Sequence, residues 1–286
     1  MSSEQPAVVY DGSLAGLLCV VFDVFAVGLK PARVVRSARF APSMFEEPIR
    51  VATQPKRARR VWTAVKKLDS FDSELVLRCW LYDTTQSDGD LVHLLGRVFK
   101  EGSSAARDFR DEAVMRCERV YRKMFREIHR THAFVRFAEA EDGLYLARIA
   151  PDFDVLPLAV EHFEQRYQDQ EWMIWDEARN YGFWFRPGQG KSLRVSQKDF
   201  TESGSLTSQQ GAGFAERHTK TGLVNQSEVD KLPKLAARED GFQDLWGTYF
   251  ESVDIHARAN PKLHKAHVPV RYWKHLTEKQ PKNTGP

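Results

Sequence analysis

"AFVRFAEAEDGLYLARIAPDFDVLPLAVEHFEQRYQDQEWMIWDEARNYGFWF", residues 133–185, decides the fold. Its hydrophobic period is 2 at both ends and helical in the middle. "AFVRFA" and "LYLARI" flank a turn containing Asp142-Gly143, a strong hairpin signal. "EWMIWD" and "NYGFWF" make a second hairpin around Glu177–Asn180. Between them Leu156, Val160, Phe163 and Tyr167 repeat at helical spacing. The block therefore predicts strand–strand–helix–strand–strand.

The turn into that helix carries the first candidate chemistry. Asp152 and Asp154 precede it, and His162 lies on its flank. Asp154 ahead of Pro157 fits an N-cap with proline in the first turn. The alternative is a polar site built from Asp152, Asp154 and His162. Two aspartates and a histidine specify no metal geometry, so no metal is expected.

Working outward, "VVYDGS" (8–13) predicts a short strand ending at a turn, with Asp11 or Ser13 capping the next helix. Residues 33–39 suit another strand. Helices follow in "PKRARRVWTAVKKL", in "SFDSELVLRCWLYD" with Ser70 or Ser73 as cap, and in "SDGDLVHLLGRVFKEG", which stops at Gly102. A long helix is expected from about Ser104 to His132. Val114, Cys117, Tyr121, Met124 and Ile128 form its apolar stripe. Arg116, Arg119, Lys123, Arg126 and Arg130 repeat the same spacing on another face.

Beyond the block, residues 187–213 are rich in Gly, Ser and Gln and predict a flexible excursion. "RPGQGKS" (186–192) ends in Gly-Lys-Ser, but a P-loop needs glycine where Phe185 stands. The remainder predicts an aromatic-rich helix, an Asn-Pro break and a second short helix. The whole chain reads as a single α+β domain over 1–286. It has a mainly helical part (1–132), the ββαββ core (133–185), the excursion (187–213) and a C-terminal helical part (214–286). The expected sheet is antiparallel, built from the two hairpins, extended by the N-terminal strand and packed on a helical layer.

Composition narrows the class. The 286 residues are 42% hydrophobic and 28% charged, as in a globular protein in water. "LAGLLCVVFDVFAVGL" is the longest apolar run; Asp23 interrupts it, and it falls short of the roughly 20 residues that span a bilayer. Neither a membrane span nor a signal peptide is expected. Cys19, Cys79 and Cys117 lie far apart in helical patterns, which suits buried thiols in a reducing cytoplasm. No cofactor is implied by spacing. There is no G-x-S-x-G elbow, no G-x-G-x-x-G turn and no three-cysteine radical SAM motif. Helix-hairpin-helix and uracil-glycosylase water-activating motifs are also missing from the sequence.

Net charge is only +3, but Arg50–Leu68 holds seven positive charges and no acid: Arg50, Lys56, Arg57, Arg59, Arg60, Lys66 and Lys67. Lysine and arginine rows attract phosphate in a salt-dependent, sequence-independent way. An ordinary solvated face is the competing reading, since Glu112, Glu118 and Glu127 share the long helix. The aromatics of the hairpins could stack bases if exposed, yet they fit a sheet core better.

Three stretches carry a family resemblance: "VVYDGSLAGLLCVVFDVF", "HRTHAFVRFAEAEDGLYLARIAPDFDVLPLAVEHFEQRYQDQEWMIWDEARNYG" and "LWGTYFESVDIHARANPKLHKAHVPVRYWKHLTE". In these the chain resembles a bacterial family assigned to DNA metabolism or repair and defined by domain of unknown function 4130. Members of that family are typically encoded beside a DNA modification or repair radical SAM protein. Some are fused to a uracil-DNA-glycosylase-like domain. The resemblance implies a DNA-repair role, a radical SAM partner and a uracil-DNA-glycosylase-like protein as a further partner. It brings no catalytic residues with it.

The expectation is thus an accessory DNA-binding or DNA-processing protein. Arg57, Arg59, Arg60, Arg116, Arg119, Lys123, Arg126 and Arg130 would neutralise phosphates, with Arg136 and Arg179 beside them. Asp152, Asp154, His162, Asp176 and Tyr181 are the catalytic candidates. Asp11, Asn260, Arg271 and Tyr272 form a second tier. The alternatives are a hydrolase or glycosylase-like enzyme with Asp152 or Asp154 beside Asp11 or His162, and a protein–protein adaptor without DNA contact.

Overall fold

The computed structural model describes residues 6–41, 47–84, 86–140, 143–196, 268–276 and 279. They fall into two compact units, the first ending at Arg126 and the second beginning at Glu127.

The first unit is built on β1 (Ala7–Tyr10), all four residues of which are buried. An uninterrupted apolar run is what a strand covered on both faces requires. β2 (Arg33–Arg36) and β3 (Ile49–Arg50) flank it, both parallel, in the order β2-β1-β3. The N-terminal strand therefore heads its own sheet and does not extend the sheet of the hairpin block. α1 (Leu14–Ala26) supplies the β1-to-β2 crossover. Ser13 caps it by accepting from the Gly16 N–H, and Asp11 holds Ser13 through the Ser13 N–H (2.9 Å) and hydroxyl (2.7 Å). Asp11 also accepts from the Thr53 hydroxyl at 2.7 Å, so it closes the turn and ties it to the loop after β3.

α2 (Pro55–Lys66) starts at its proline as the sequence predicts, and α4 (Ser87–Glu101) ends on Gly102 at φ +92°. At α3 (Glu74–Tyr82) Ser73 occupies the cap position without a side-chain bond, and Asp72 accepts from the Glu74 N–H instead. α5 is Glu112–Phe134, eight residues shorter at its start than the pattern predicts. Asp111 stops it there by accepting from the N–H groups of Ala113 and Val114. Val114, Cys117, Val120 and Met124 bury its apolar stripe, and all three cysteines are buried.

The second unit carries a five-stranded sheet in the order β4-β5-β6-β7-β8. β4 (Ala138–Glu139) and β5 (Tyr145–Ile149) form the first hairpin; β6 (Trp172–Asp176) and β7 (Tyr181–Phe185) form the second. α6 (Leu156–Arg166) lies between them in sequence. The α+β class and the ββαββ order are as read from the sequence. The sheet is mixed, however, because β5 and β6 pair in parallel, Ile149 opposite Asp176. A helical crossover returns the chain to the end of the sheet it left, and that makes the joined strands parallel. Part of the expected excursion is also ordered: Leu193–Ser196 forms β8, antiparallel to β7.

Both faces of this sheet are covered. Ile149, Leu156, Phe163, Trp172, Ile174 and Phe183 pack on the α6 side. Leu146, Met173, Trp175, Trp184 and Val195 pack on the other. The tryptophans and tyrosine of the hairpins are thus core, each side chain of this size contributing about 1.5–3 kcal/mol by burial. Gly182 is demanded by that packing: a Cβ would stand 2.5 Å from the Ile174 carbonyl oxygen and 2.8 Å from the Trp175 ring.

Candidate functional site

Three of the five catalytic candidates, Asp154, Asp176 and Tyr181, gather at the carboxyl ends of β5 and β6. Asp176 is the last residue of β6 and Tyr181 the first of β7, paired across the hairpin. Asp176 is fully buried. One oxygen accepts from the N–H groups of Ala178 (2.9 Å) and Arg179 (3.3 Å), folding the turn. The other accepts from the Arg179 guanidinium at 2.9 Å. Arg179 also donates to the carbonyls of Pro151 (3.1 Å) and Asp152 (3.0 Å). It therefore bonds the β6–β7 turn to the β5–α6 loop rather than facing phosphate.

Asp154 does not cap α6. The cap position is Val155, without a side-chain bond, and Pro157 sits in the first turn. Asp154 instead accepts from the Tyr181 hydroxyl. Arg194, on β8, lies 3.9 Å from the centre of the Tyr181 ring. Burial pushes the Asp176 carboxyl up to about 6, against the opposing charge of Arg179. Burial also raises Asp154, against the Tyr181 hydrogen bond and the two arginines. The Tyr181 hydroxyl is raised by burial and by Asp154. Two carboxyls that favour their protons thus share one corner of the sheet with a phenol and two guanidiniums.

Asp152 belongs to a neighbouring network centred on Glu127, which is 1% exposed. Glu127 accepts from the Asp152 N–H (3.1 Å), the Tyr272 hydroxyl (2.6 Å) and Arg271 (2.5 Å). Arg271 also reaches the Asp152 carboxylate at 3.0 Å. The 3-10 turn Val270–His275 is held to the second unit by these contacts. Arg130 approaches Glu127 at 3.7 Å. Neither network includes His162, which stacks on His132 with ring centres 4.4 Å apart. His132 bonds the Ala159 carbonyl, and burial lowers its pKa. The expected grouping of Asp152 or Asp154 with His162 therefore does not form. Asp11 belongs to the first unit. Asn260 lies outside the described residues.

The sequence places Glu127 among the acids of a solvated helix face, whereas it is buried, and it does not single out Arg194. Glu127 had a signal: it stands three residues after Met124, on the buried face of α5. Arg194 had none beyond alternation in "LRVS".

The basic candidates divide by partner. Arg116 is committed to Asp90 at 2.8 and 2.9 Å and to Glu112 at 3.2 Å. Arg57 pairs with Asp23, and Arg136 donates to the carbonyls of Ala133 and Val135 at the end of α5. By contrast Arg119, Lys123 and Arg126 are exposed on one side of α5. Lys123 keeps a neutral neighbour, the Tyr82 hydroxyl at 3.2 Å, and Arg119 the Met115 sulfur at 3.3 Å. Arg59 and Arg60 are exposed on α2, Arg60 lying 5.8 Å from the Phe22 ring. Among the described residues no three His, Cys, Asp or Glu side chains gather to hold a metal ion, and no helix is long and apolar enough to cross a membrane.

No curated protein and no solved structure matches the chain. A family model, described as a domain of unknown function (DUF4130), matches residues 85–278, which takes in α4, α5, the whole five-stranded sheet and the Arg271–Tyr272 turn. The chain belongs to the DUF4130 family.

Proposed function

We propose that this protein is an accessory DNA-binding or DNA-processing protein of DNA repair or modification, acting with a radical SAM partner. The observation that carries the DNA contact is the row Arg119, Lys123 and Arg126. It is exposed over about 10 Å of helix, with Arg119 against the Met115 sulfur and Lys123 against the Tyr82 hydroxyl. Such a row exchanges counterions for phosphates at little internal cost. Arg59 and Arg60 on α2 are further cations of the same kind. The partner class is supported by the family resemblance in the sequence. The test is binding to single-stranded, duplex and uracil- or lesion-containing DNA, with a variant carrying Arg119→Glu, Lys123→Glu and Arg126→Glu. A protein that binds DNA no better than this variant has another role, and the adaptor reading takes over.

One observation favours a second reading, a hydrolase or glycosylase-like enzyme. Asp154 and Asp176 both hold their protons more tightly than ordinary carboxyls, as a general acid does. This reading predicts base or strand release from uracil- or lesion-containing DNA, lost in Asp154→Asn while DNA binding persists.

A further inference from the structure

The first unit contains a cleft of about 920 Å³ whose lining includes one of the basic candidates, Arg116. One wall is the exposed face of α4, the other the end of α1 and the segment leading into β2. Its size falls in the range of small-molecule sites, roughly 300–1,000 Å³.

The α4 wall is bare by composition. Gly89 and Gly96 stand two turns apart on it, and a Cβ at either would have nothing within 4 Å. Gly96 lies in the middle of the helix, where glycine is the weakest helix former apart from proline. Packing does not require the glycine, so the open space above it is the feature left to explain.

The rest of the wall is polar and held in place. His93 is 52% exposed, and its Nε2 is fixed by the Asp111 carboxylate at 2.8 Å. Asp111 is fixed in turn by Arg97 at 3.2 Å and by the first N–H groups of α5. Lys30 and Lys100 line the cleft from opposite walls, and both are exposed. Phe25 is 49% exposed; its ring meets Phe99 edge-on at 5.6 Å and leaves apolar surface in the cleft.

Four carboxylates also line the cleft, and each is paired with an arginine: Glu101 and Asp111 with Arg97, Asp90 and Glu112 with Arg116. With those charges paired, two exposed lysines, an exposed aromatic ring, a fixed imidazole and a glycine floor suit a ligand with an anionic end and a flat ring. We propose that this cleft binds one nucleotide, its phosphate met by Lys30 and Lys100 and its base lying along the bare α4 wall between Phe25 and His93. Free nucleotides and single units of a DNA strand share this chemistry. The inference is independent of Arg119, Lys123 and Arg126, none of which lines the cleft; Arg116 of the same helix does line it.

The experiment is calorimetric titration of the full chain with the four deoxynucleoside monophosphates, with inorganic phosphate and with a short single-stranded oligonucleotide. Saturable nucleotide binding is expected, at least tenfold tighter than phosphate. Gly96→Leu should weaken it at least tenfold by filling the floor, while Gly96→Ala should retain it. Lys30→Glu with Lys100→Glu should weaken it independently of the floor, which keeps the test open if the leucine variant does not fold. Duplex binding through α5 should be unchanged in the glycine variants. Competition by the oligonucleotide assigns the ligand to a strand; its failure assigns it to free nucleotide. No saturable nucleotide binding, phosphate binding as tight as nucleotide, or a folded Gly96→Leu that binds like wild type would overturn the proposal.

Discussion

Two polar regions of this protein look alike in sequence and differ in the fold. The α5 row and the β5–β6 corner are both made of arginine, acid and tyrosine at close spacing. In the corner and the network beside it the acids Asp176 and Glu127 are turned inward: Asp176 is spent on a turn and Arg179, Glu127 on Arg271 and Tyr272. On α5 the cations Arg119, Lys123 and Arg126 face water. Buried, paired charge is expensive to unpair, whereas exposed charge contributes little to the fold and is open to a partner. The difference sorts the candidate residues into those that hold the structure and those that can meet a ligand.

The sharpest way to break this comparison is Glu127→Ala. It takes the acceptor from the buried Tyr272 hydroxyl and leaves Arg271 with Asp152 as its carboxylate partner, and removing one partner of a buried pair costs about 3–5 kcal/mol. Denaturant midpoints should show that loss. A loss under about 1 kcal/mol would mean the corner is no more structural than the helix face.

Asp176 gives the next effect, through pH. Its folded pKa of about 6 lies above the ordinary value of 3.8, so the fold favours the protonated form. Its stabilising contribution is full below pH 3.8 and is lost as pH rises through about 6. The shift corresponds to about 3 kcal/mol in total. Asp176→Asn, which does not titrate, should gain on wild type by about that amount between pH 4 and 7. Parallel stability–pH curves for the two proteins would contradict the buried-acid account.

Gly182→Ala should cost about 1–3 kcal/mol by overpacking against the Ile174 carbonyl and the Trp175 ring. Thermal unfolding measures it. Single neutralisations on the other side of the comparison, Arg119→Ala or Arg126→Ala, should change stability by no more than about 0.5 kcal/mol. A larger loss would make the α5 row structural after all.

Much of this fold was legible in the sequence because the signals were local. Asp142-Gly143 and Glu177–Asn180 mark the hairpins, and Leu156, Val160 and Phe163 mark the helix between them. What sequence periodicity could not supply was pairing at a distance. That β5 pairs with β6 in parallel, and that β1 heads a separate sheet with β2 and β3, are decided by tertiary contacts. The site shows the same limit. Asp154 before Pro157 satisfies every local rule for a cap, yet Tyr181, 27 residues away, takes its carboxylate. Asp152 joins Arg271 through a contact no spacing rule reaches. Arg116 looks equivalent to Arg119 by spacing and is withdrawn by Asp90, 26 residues upstream. Charge position along a helix is readable from sequence; whether that charge is already taken is a property of the fold.

The most direct test of the DNA-facing reading is the slope of log K against log salt for wild type and for the variant reversed at Arg119, Lys123 and Arg126. The account predicts DNA binding with a steep slope in wild type. The slope should fall by about 2 to 3 in the variant, close to one unit for each cation lost. Equal slopes in the two proteins, or no binding by wild type at low salt, would contradict it.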